Sequence, residues 1–362
     1  MDNLFTPKYV VIKESIKEKI INGSIGPHDR VPSETELSKE FDVSIITSRR
    51  ALTDLFNEGF IYRVQGKGSF VSDLNNSREN RNTNTRLVAL VLSLAKYYED
   101  IFLDIIKGAQ SYFETRDYSM IFHYYESDST KERKIVESLI NKNIEGLMLY
   151  SYDPTENIEM IKALRQRKFP FVLIDRHVAD VPTNYVISDG FDGAYEAVEF
   201  LINLGHRKIA FVSNDVDFSS VKDRNHGYKM ALSNNCIPFN SELEIFQYNQ
   251  RTQDVMDLLL KKKATAIFAV NDLIAINIMD EARKIGLETP KDFSIVGFDD
   301  ISSASSQRVP LTTVQQPFYE IGQTAAEILI KNVEDRNVGC QKVILPNKLI
   351  IRDSSSAINI DC

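Results

Sequence analysis

The chain has 362 residues, 43% hydrophobic, 26% charged and 10% aromatic, with a formal net charge of −8. These values exclude a disordered or fibrous chain and leave room for two or three domains around a sizeable core. No apolar run approaches the roughly 18 residues of a membrane span, and the N-terminus lacks the apolar stretch of a secretory signal. A cytoplasmic protein without membrane contact is expected. Cys236, Cys340 and Cys362 lie far apart without metal spacing, and the five histidines form no cluster. They read as reduced thiols and ordinary imidazoles, so neither metal nor cofactor is expected.

The charge is unevenly placed. Residues 1–86 carry 13 Lys and Arg against 12 Asp and Glu, a net of +1; the remaining 30 against 39 put −9 on residues 87–362. Phosphates are repelled by the larger part. Any contact with nucleic acid must come from a few placed cations in the smaller one.

In chain order, Thr6-Pro7 predicts a helix start, with Thr6 as N-cap and Pro7 as the first helical residue. Tyr9, Ile12, Ile16 and Ile20 recur at helical spacing until Asn22-Gly23 stops the run. Ser33 and Glu36 form a capping box opening a second helix that buries Leu37 and Phe41. After a tight connection at Asp42-Val43, Ser44 caps a third helix, with Ala51, Leu52, Leu55 and Phe56 facing inward and Gly59 ending it. Phe60–Val64 and Ser69–Val71 are short strand patterns around a Gln65-Gly66-Lys67-Gly68 turn. Two helices joined by a tight turn and followed by a hairpin make a winged helix-turn-helix. Leu74–Thr85 is Asn-rich and nearly free of apolar residues, a flexible linker with a reach of roughly 20 Å.

From Leu87 onward apolar strand runs alternate with helical stretches. The strands expected are Leu87–Leu94, Tyr118–His123, Glu145–Leu149, Phe171–Ile174, Tyr185–Ser188, Lys208–Ser213, Ala264–Ala269 and Ser294–Gly297. Helices such as Gly190–Leu204 and Asp272–Ile285 separate them. That alternation predicts an α/β fold with doubly wound parallel sheets, and its length fits two lobes around a cleft.

In a helix-turn-helix the second helix meets base edges with its N-terminal residues. Here those are Ser44, Ile45, Thr47, Ser48, Arg49 and Arg50. Arg49, placed opposite Leu52 and Phe56, suits guanine or phosphate. Ser44 and Thr47 suit phosphates near the helix start, and Lys67 sits at the wing tip. Residues 8–72 resemble the winged-helix domain of the GntR family. The resemblance rests on Ile21-Asn22-Gly23, Arg30-Val31-Pro32-Ser33-Glu34, Val43-Ser44, Thr47, Arg49, Ala51-Leu52, Glu58-Gly59 and Gln65-Gly66-Lys67-Gly68-Ser69-Phe70-Val71. It implies that Ser33, Thr35, Gln65 and Gly66 also lie near double-stranded DNA. Thr35 and Ile45 stand where many relatives carry Arg, which leaves the operator sequence open.

Residues 87–355 resemble the effector domain of LacI-type repressors, itself similar to periplasmic sugar-binding proteins. The matching runs include Val172-Leu173-Ile174-Asp175-Arg176, Leu204-Gly205-His206-Arg207-Lys208-Ile209-Ala210, Arg224 with Gly227-Tyr228, Asn271-Asp272, Val296-Gly297-Phe298-Asp299-Asp300 and Leu311-Thr312-Thr313-Val314. The fusion of the two resembles the arabinose-repressor group. It implies a reader over residues 1–73, a linker over 74–86 and an effector domain over 87–355. Lobe one would hold about 87–188 and 317–345, and lobe two about 189–316 and 346–355.

A sugar presents many hydroxyls and no charge, so its site needs planar multi-donor and multi-acceptor side chains with aromatic faces. By position, the resemblance implies Asp175, Arg176, Arg224, Asn271, Asp299 and Gln316 as contacts. Tyr98 and Phe102 follow the first strand as stacking platforms, although Tyr97-Tyr98 reads equally well as core or interface. The resulting expectation is a homodimeric repressor of carbohydrate genes, located at the nucleoid when bound, and released by a monosaccharide, L-arabinose first. Activation, another sugar, a sugar phosphate or a nucleobase stay open. The chain carries no nucleophile elbow, metal cluster or phosphate loop, which speaks against an enzyme.

Overall fold

The computed structural model describes residues 7–57, 60–64, 67–72, 86–94, 99–126, 128–213, 218–246 and 252–358. It divides into two compact units, Met1–Asn84 and Thr85–Cys362. The residues 74–85 expected to form a linker lie outside the described residues. Among the described residues no helix is long and apolar enough to cross a membrane.

The first unit contains helices α1 (Lys8–Ile21), α2 (Glu34–Glu40) and α3 (Ile45–Asn57) and the antiparallel strands β1 (Ile61–Val64) and β2 (Gly68–Val71). Ile12, Ile16 and Ile20 pack with Val31, Leu37, Ala51, Leu52, Leu55, Ile61 and Val71 into one core. The capping box forms as its spacing requires: Glu36 N–H donates to Ser33 Oγ, and Ser33 N–H donates to Glu36 Oε2 at 2.6 Å. Ser44 Oγ accepts the N–H of Thr47 at 3.2 Å and starts α3. Two local expectations are corrected. Pro7 is the N-cap of α1 and Lys8 its first residue, while Thr6 lies outside the described residues. Phe56 does not face the core but is 44% exposed. It lies seven residues from Arg49, two helical turns along the same side, and carries the Arg63 guanidinium 5.5 Å from its ring centre.

The second unit holds two parallel sheets. The first is built from β3 (Leu87–Leu94), β4 (Ser119–Glu126), β5 (Gly146–Tyr150), β6 (Phe171–Ile174), β7 (Asn184–Ser188) and β13 (Lys342–Leu345), in the order β13-β7-β6-β5-β3-β4. The second is built from β8 (Ile209–Ser213), β9 (Glu244–Phe246), β10 (Ala266–Ala269) and β11 (Ser294–Val296), in the order β11-β10-β8-β9. Helices α4 (Glu99–Thr115), α5 (Ser129–Ile140), α6 (Ile158–Gln166) and α12 (Phe318–Glu334) belong with the first sheet by connection. Helices α7 (Gly190–Asn203), α8 (Ser219–Asn234), α9 (Thr252–Lys262) and α10 (Asp272–Lys284) belong with the second. A short α11 (Ser302–Ser305) follows β11. Strands β12 (Thr313–Gln315) and β14 (Lys348–Ile350) pair antiparallel between the sheets, so the chain passes from one to the other near residues 189, 316 and 346. All four residues of β6 and of β10 are buried, as sheets covered on both faces demand.

Helix packing leaves no room for side chains at three glycines. A Cβ on Gly108 would sit 1.9 Å from the carbonyl oxygen of Tyr319, and one on Gly322 would sit 2.2 Å from that of Ile105. The α4 and α12 backbones therefore touch. Gly227 does the same for α8 against α7, 2.2 Å from the Phe191 oxygen. Backbone cannot yield as a flexible side chain does, so Gly108→Ala and Gly322→Ala should each destabilise this unit by at least about 2 kcal/mol. A thermal melt of the variants should show a drop of roughly 5 °C; an unchanged midpoint would refute the tight crossing.

Candidate functional site

On the first unit, the opening turn of α3 is largely exposed. Ile45 is 46% and Ile46 76% exposed, while Ser48 is fully buried and so turned away from any ligand, contrary to its expected place. Arg49 donates from Nε to Glu34 Oε2 at 2.9 Å, and its Nη2 lies 2.9 Å from the same oxygen. Arg50 instead lies over the Tyr9 ring at 4.0 Å and reaches its hydroxyl at 3.4 Å. The two neighbouring arginines thus serve different faces. Ser44 and Thr47 share a hydroxyl hydrogen bond of 2.9 Å, Ser33 is engaged in its capping box, and Thr35 and Lys67 are exposed. Gln65 and Gly66 lie outside the described residues.

In the second unit a cavity of about 510 Å³ opens between the sheets. Phe102, Asp175, Arg176, Arg224, Asn271, Asp299 and Gln316 all line it; Tyr98 lies outside the described residues. The fold brings them together because Asp175, Asn271, Asp299 and Gln316 each follow the carboxyl end of a strand, where ligands of α/β sheets collect.

The centre of the cavity is a buried network. Arg224, 6% exposed, donates from Nη1 to the Val270 carbonyl at 2.6 Å and places Nη2 3.3 Å from Asp299 Oδ1. Its guanidinium lies 3.8 Å from the centre of the Phe298 ring. Gln316 Nε2 donates to the same Asp299 oxygen at 2.6 Å, and Ser188 Oγ donates to Gln316 Oε1 at 2.5 Å. That chain runs from the end of β7 to α8. Among the described residues the buried Nε of Arg224 and that of Arg176 have no hydrogen-bond partner. Buried donors of this kind are normally satisfied; the Nε of Arg176 lies 3.5 Å from Asp175 Oδ2, whereas that of Arg224 is left for a ligand atom or solvent.

Arg176 lies 3.5 Å from Asp175 and donates to the Tyr152 carbonyl. Asn271 uses its Oδ1 to cap α10 through Ile274 N–H at 3.0 Å, which leaves its amide nitrogen as the donor to offer. Asp175 and Asp299 adopt φ of 67° and 113°, conformations that side chains rarely take and that concentrate at functional sites. Two cations balance two carboxylates, and the walls are aromatic.

Sequence reasoning missed Tyr150, Tyr152, Phe218 and Asp272. Burial and the nearby Asp175 carboxylate push the Tyr150 phenol well up, so it stays a neutral donor. Phe218, ahead of α8, stacks 3.8 Å beneath the Arg176 guanidinium and meets Tyr152 edge-on at 5.5 Å. This bridges the cleft at one rim. At another, the Asp100 carboxylate on α4 accepts the Ser302 N–H of α11 at 2.8 Å. Burial opposes its ionisation, but the hydrogen bonds from Ser302 prevail and hold Asp100 below the usual carboxylate value. Asp272 is fully buried, accepts from Thr313 Oγ1 and Ile301 N–H, and has its pKa pushed well up by burial and then by Asp299. It braces the Phe298–Ile301 segment. Its only signal in the sequence was a place beside Asn271.

Residues 8–71 match the family of bacterial regulatory proteins called gntR, and residues 198–355 match a periplasmic binding protein-like domain. An arabinose metabolism transcriptional repressor of Geobacillus stearothermophilus is 30% identical over 97% of this chain and 98% of its own length. The chain belongs to this repressor family. A second arabinose-family repressor, from Halalkalibacterium halodurans, is 30% identical over 96% of both chains. The effector unit also resembles the solved structure of a LacI transcriptional regulator from Bacillus cereus subsp. cytotoxis, 29% identical with a TM-score of 0.67, over 75% of this chain and 99% of that one. Membership makes this chain a DNA-binding transcriptional regulator of carbohydrate metabolism, with the GntR-type unit as reader and the LacI-type unit as effector domain. Breaking a buried pair leaves an uncompensated charge, so Arg224→Ala should lower stability by about 3–5 kcal/mol. Arg176 is less enclosed, and Arg176→Ala should cost about 1 kcal/mol. Denaturant titration would decide; equal losses in both variants would contradict this ranking.

Proposed function

We propose that the regulator represses carbohydrate-utilisation genes and is released from its operator by a neutral monosaccharide, with L-arabinose the first candidate. The observation that carries the sugar reading is the charge-balanced cleft, where Arg224 keeps a buried Nε donor without a hydrogen-bond partner. Paired charges, amides and aromatic walls suit a ligand with many hydroxyls and no net charge. The names of the two full-length relatives support arabinose among such sugars. Asp175, Arg176, Arg224, Asn271, Asp299 and Gln316 would hydrogen-bond the sugar, with Tyr98, Phe102 and the newly found Phe218 as apolar faces.

On the DNA side we assign residues 1–73 as reader, 74–86 as linker and 87–355 as effector domain. Ser44 and Thr47 serve phosphates, Lys67 approaches the minor groove or backbone, and Ser33, Thr35, Ile45, Gln65 and Gly66 lie near the DNA. Arg49 reaches guanine or phosphate in the groove, while Arg50, stacked on Tyr9, meets the DNA from another face. A homodimer reads two half-sites. Sugar bridging the cleft favours the form in which Asp100 meets Ser302, and that shift in population changes how the two readers are presented.

Calorimetry of the full chain against a monosaccharide panel tests this reading. One sugar should give heat in the micromolar range, and Arg176→Ala, the variant less burdened by stability, should lose it. A flat panel would end the simple-sugar reading in favour of a phosphorylated sugar, an oligosaccharide or a nucleobase. The Asp100 latch gives a second expectation. Because its carboxyl is held low, the latch is intact above the ordinary carboxylate value near pH 4 and fails as pH falls through the lowered one. At neutral pH, Asp100→Asn should weaken sugar binding roughly fivefold, an exposed charged hydrogen bond being discounted for screening. Unchanged affinity would show that the latch does not bear on closure.

A further inference from the structure

Two adjacent apolar side chains at the start of α3 serve neither the fold nor the helix. Ile45 and Ile46 are 46% and 76% exposed, while the core side of α3 is supplied by Ser48, Ala51, Leu52 and Leu55. Branched side chains are mediocre helix formers where packing does not favour them. Ile45 and Ile46 stand four and three residues before Arg49, so all three share one side of the helix. Arg49 is steadied by Glu34, and Ser44 and Thr47 are tied to each other beside the patch. The exposed surface is therefore a small apolar spot with a cation at one border and hydroxyls at another.

In a helix-turn-helix this turn faces base edges in the major groove. The apolar group among the edges displayed there is the 5-methyl of thymine; the others are donors and acceptors that an Ile side chain cannot satisfy. We propose that Ile45 and Ile46 are specificity determinants that recognise thymine through its methyl group. The operator half-site then carries thymine where the first turn of α3 enters, next to the base pair or phosphate that Arg49 reaches. A protein partner is a poorer occupant, since two side chains bordered by polar groups fall far short of the area a stable interface buries. The inference rests on α3 being the reading helix, and the experiment separates the two claims.

The full-length protein is used to select duplexes from a randomised library, and each thymine of the enriched duplex is replaced in turn by deoxyuridine, which lacks only the methyl. At one or two thymines per half-site, methyl removal should weaken wild-type binding about fourfold. Ile46→Ala and Ile45→Ala should bind the thymine duplex correspondingly less well and gain no further penalty from deoxyuridine. Ile46→Val should keep the discrimination. Arg49→Ala should weaken thymine and deoxyuridine duplexes alike. All variants change exposed side chains, and an unaltered melting temperature confirms that folding is not at issue. Equal binding of thymine and deoxyuridine duplexes by the wild type at every position overturns the methyl reading while leaving the reader intact. A change of oligomeric state in Ile46→Ala with unchanged discrimination assigns the patch to a protein contact and overturns it too. A library without enrichment overturns the assignment of α3 as reader, and the inference with it.

Discussion

The ion pair between Arg224 and Asp299 organises the effector cleft. Both groups are nearly excluded from water, where an unpaired charge costs several kcal/mol. Each is therefore obliged to keep its partners, and those partners come from different parts of the chain: Val270 at the end of one strand, Phe298 beside another, and Gln316 where the chain returns toward the first sheet. Ser188 extends the same chain of hydrogen bonds to the first sheet itself. A ligand that engages the remaining Nε of Arg224 acts on a network already spanning both lobes. Under the proposed function, this network would couple occupancy to closure.

Rigidity around the cleft comes from the helices. Backbone contact at Gly108, Gly322 and Gly227 leaves each lobe little freedom to deform internally. The proposed closure would therefore fall to the three chain crossings and to the contacts across the rim, where Asp100 meets Ser302 and Phe218 meets Arg176 and Tyr152. Two stiff bodies with a polar, charge-balanced seam are what the proposed population shift requires.

The reader works under a different constraint. With a near-neutral charge over residues 1–86, it cannot rely on a broad basic surface for affinity. Individual groups must be held in place instead, as Glu34 holds Arg49 and Tyr9 holds Arg50. Such pairing reduces the rotamer freedom lost on binding.

The sequence by itself determined whatever depends on neighbours along the chain. Parallel strands covered on both faces must be continuous apolar runs, so β3 and β6 were legible to the residue. The capping box of α2 and the Asn22-Gly23 stop of α1 were equally plain, because their hydrogen bonds close within three or four residues. Motif positions also named the cleft: the candidates that fall on described residues line one cavity. Tertiary structure alone decided what depends on distant partners. β9, β12 and β14 have three residues each, and β13 has four of alternating exposure, too little pattern to stand out before a neighbouring strand pairs with them. Phe56 has the composition of a core residue but lies on the side of α3 that the core does not reach. Phe218 and Tyr152 became site residues only when the lobes brought together positions 66 residues apart. Which acid pairs with Arg49, and which donor of Arg224 stays without a hydrogen-bond partner, follows from burial and geometry that no local pattern encodes.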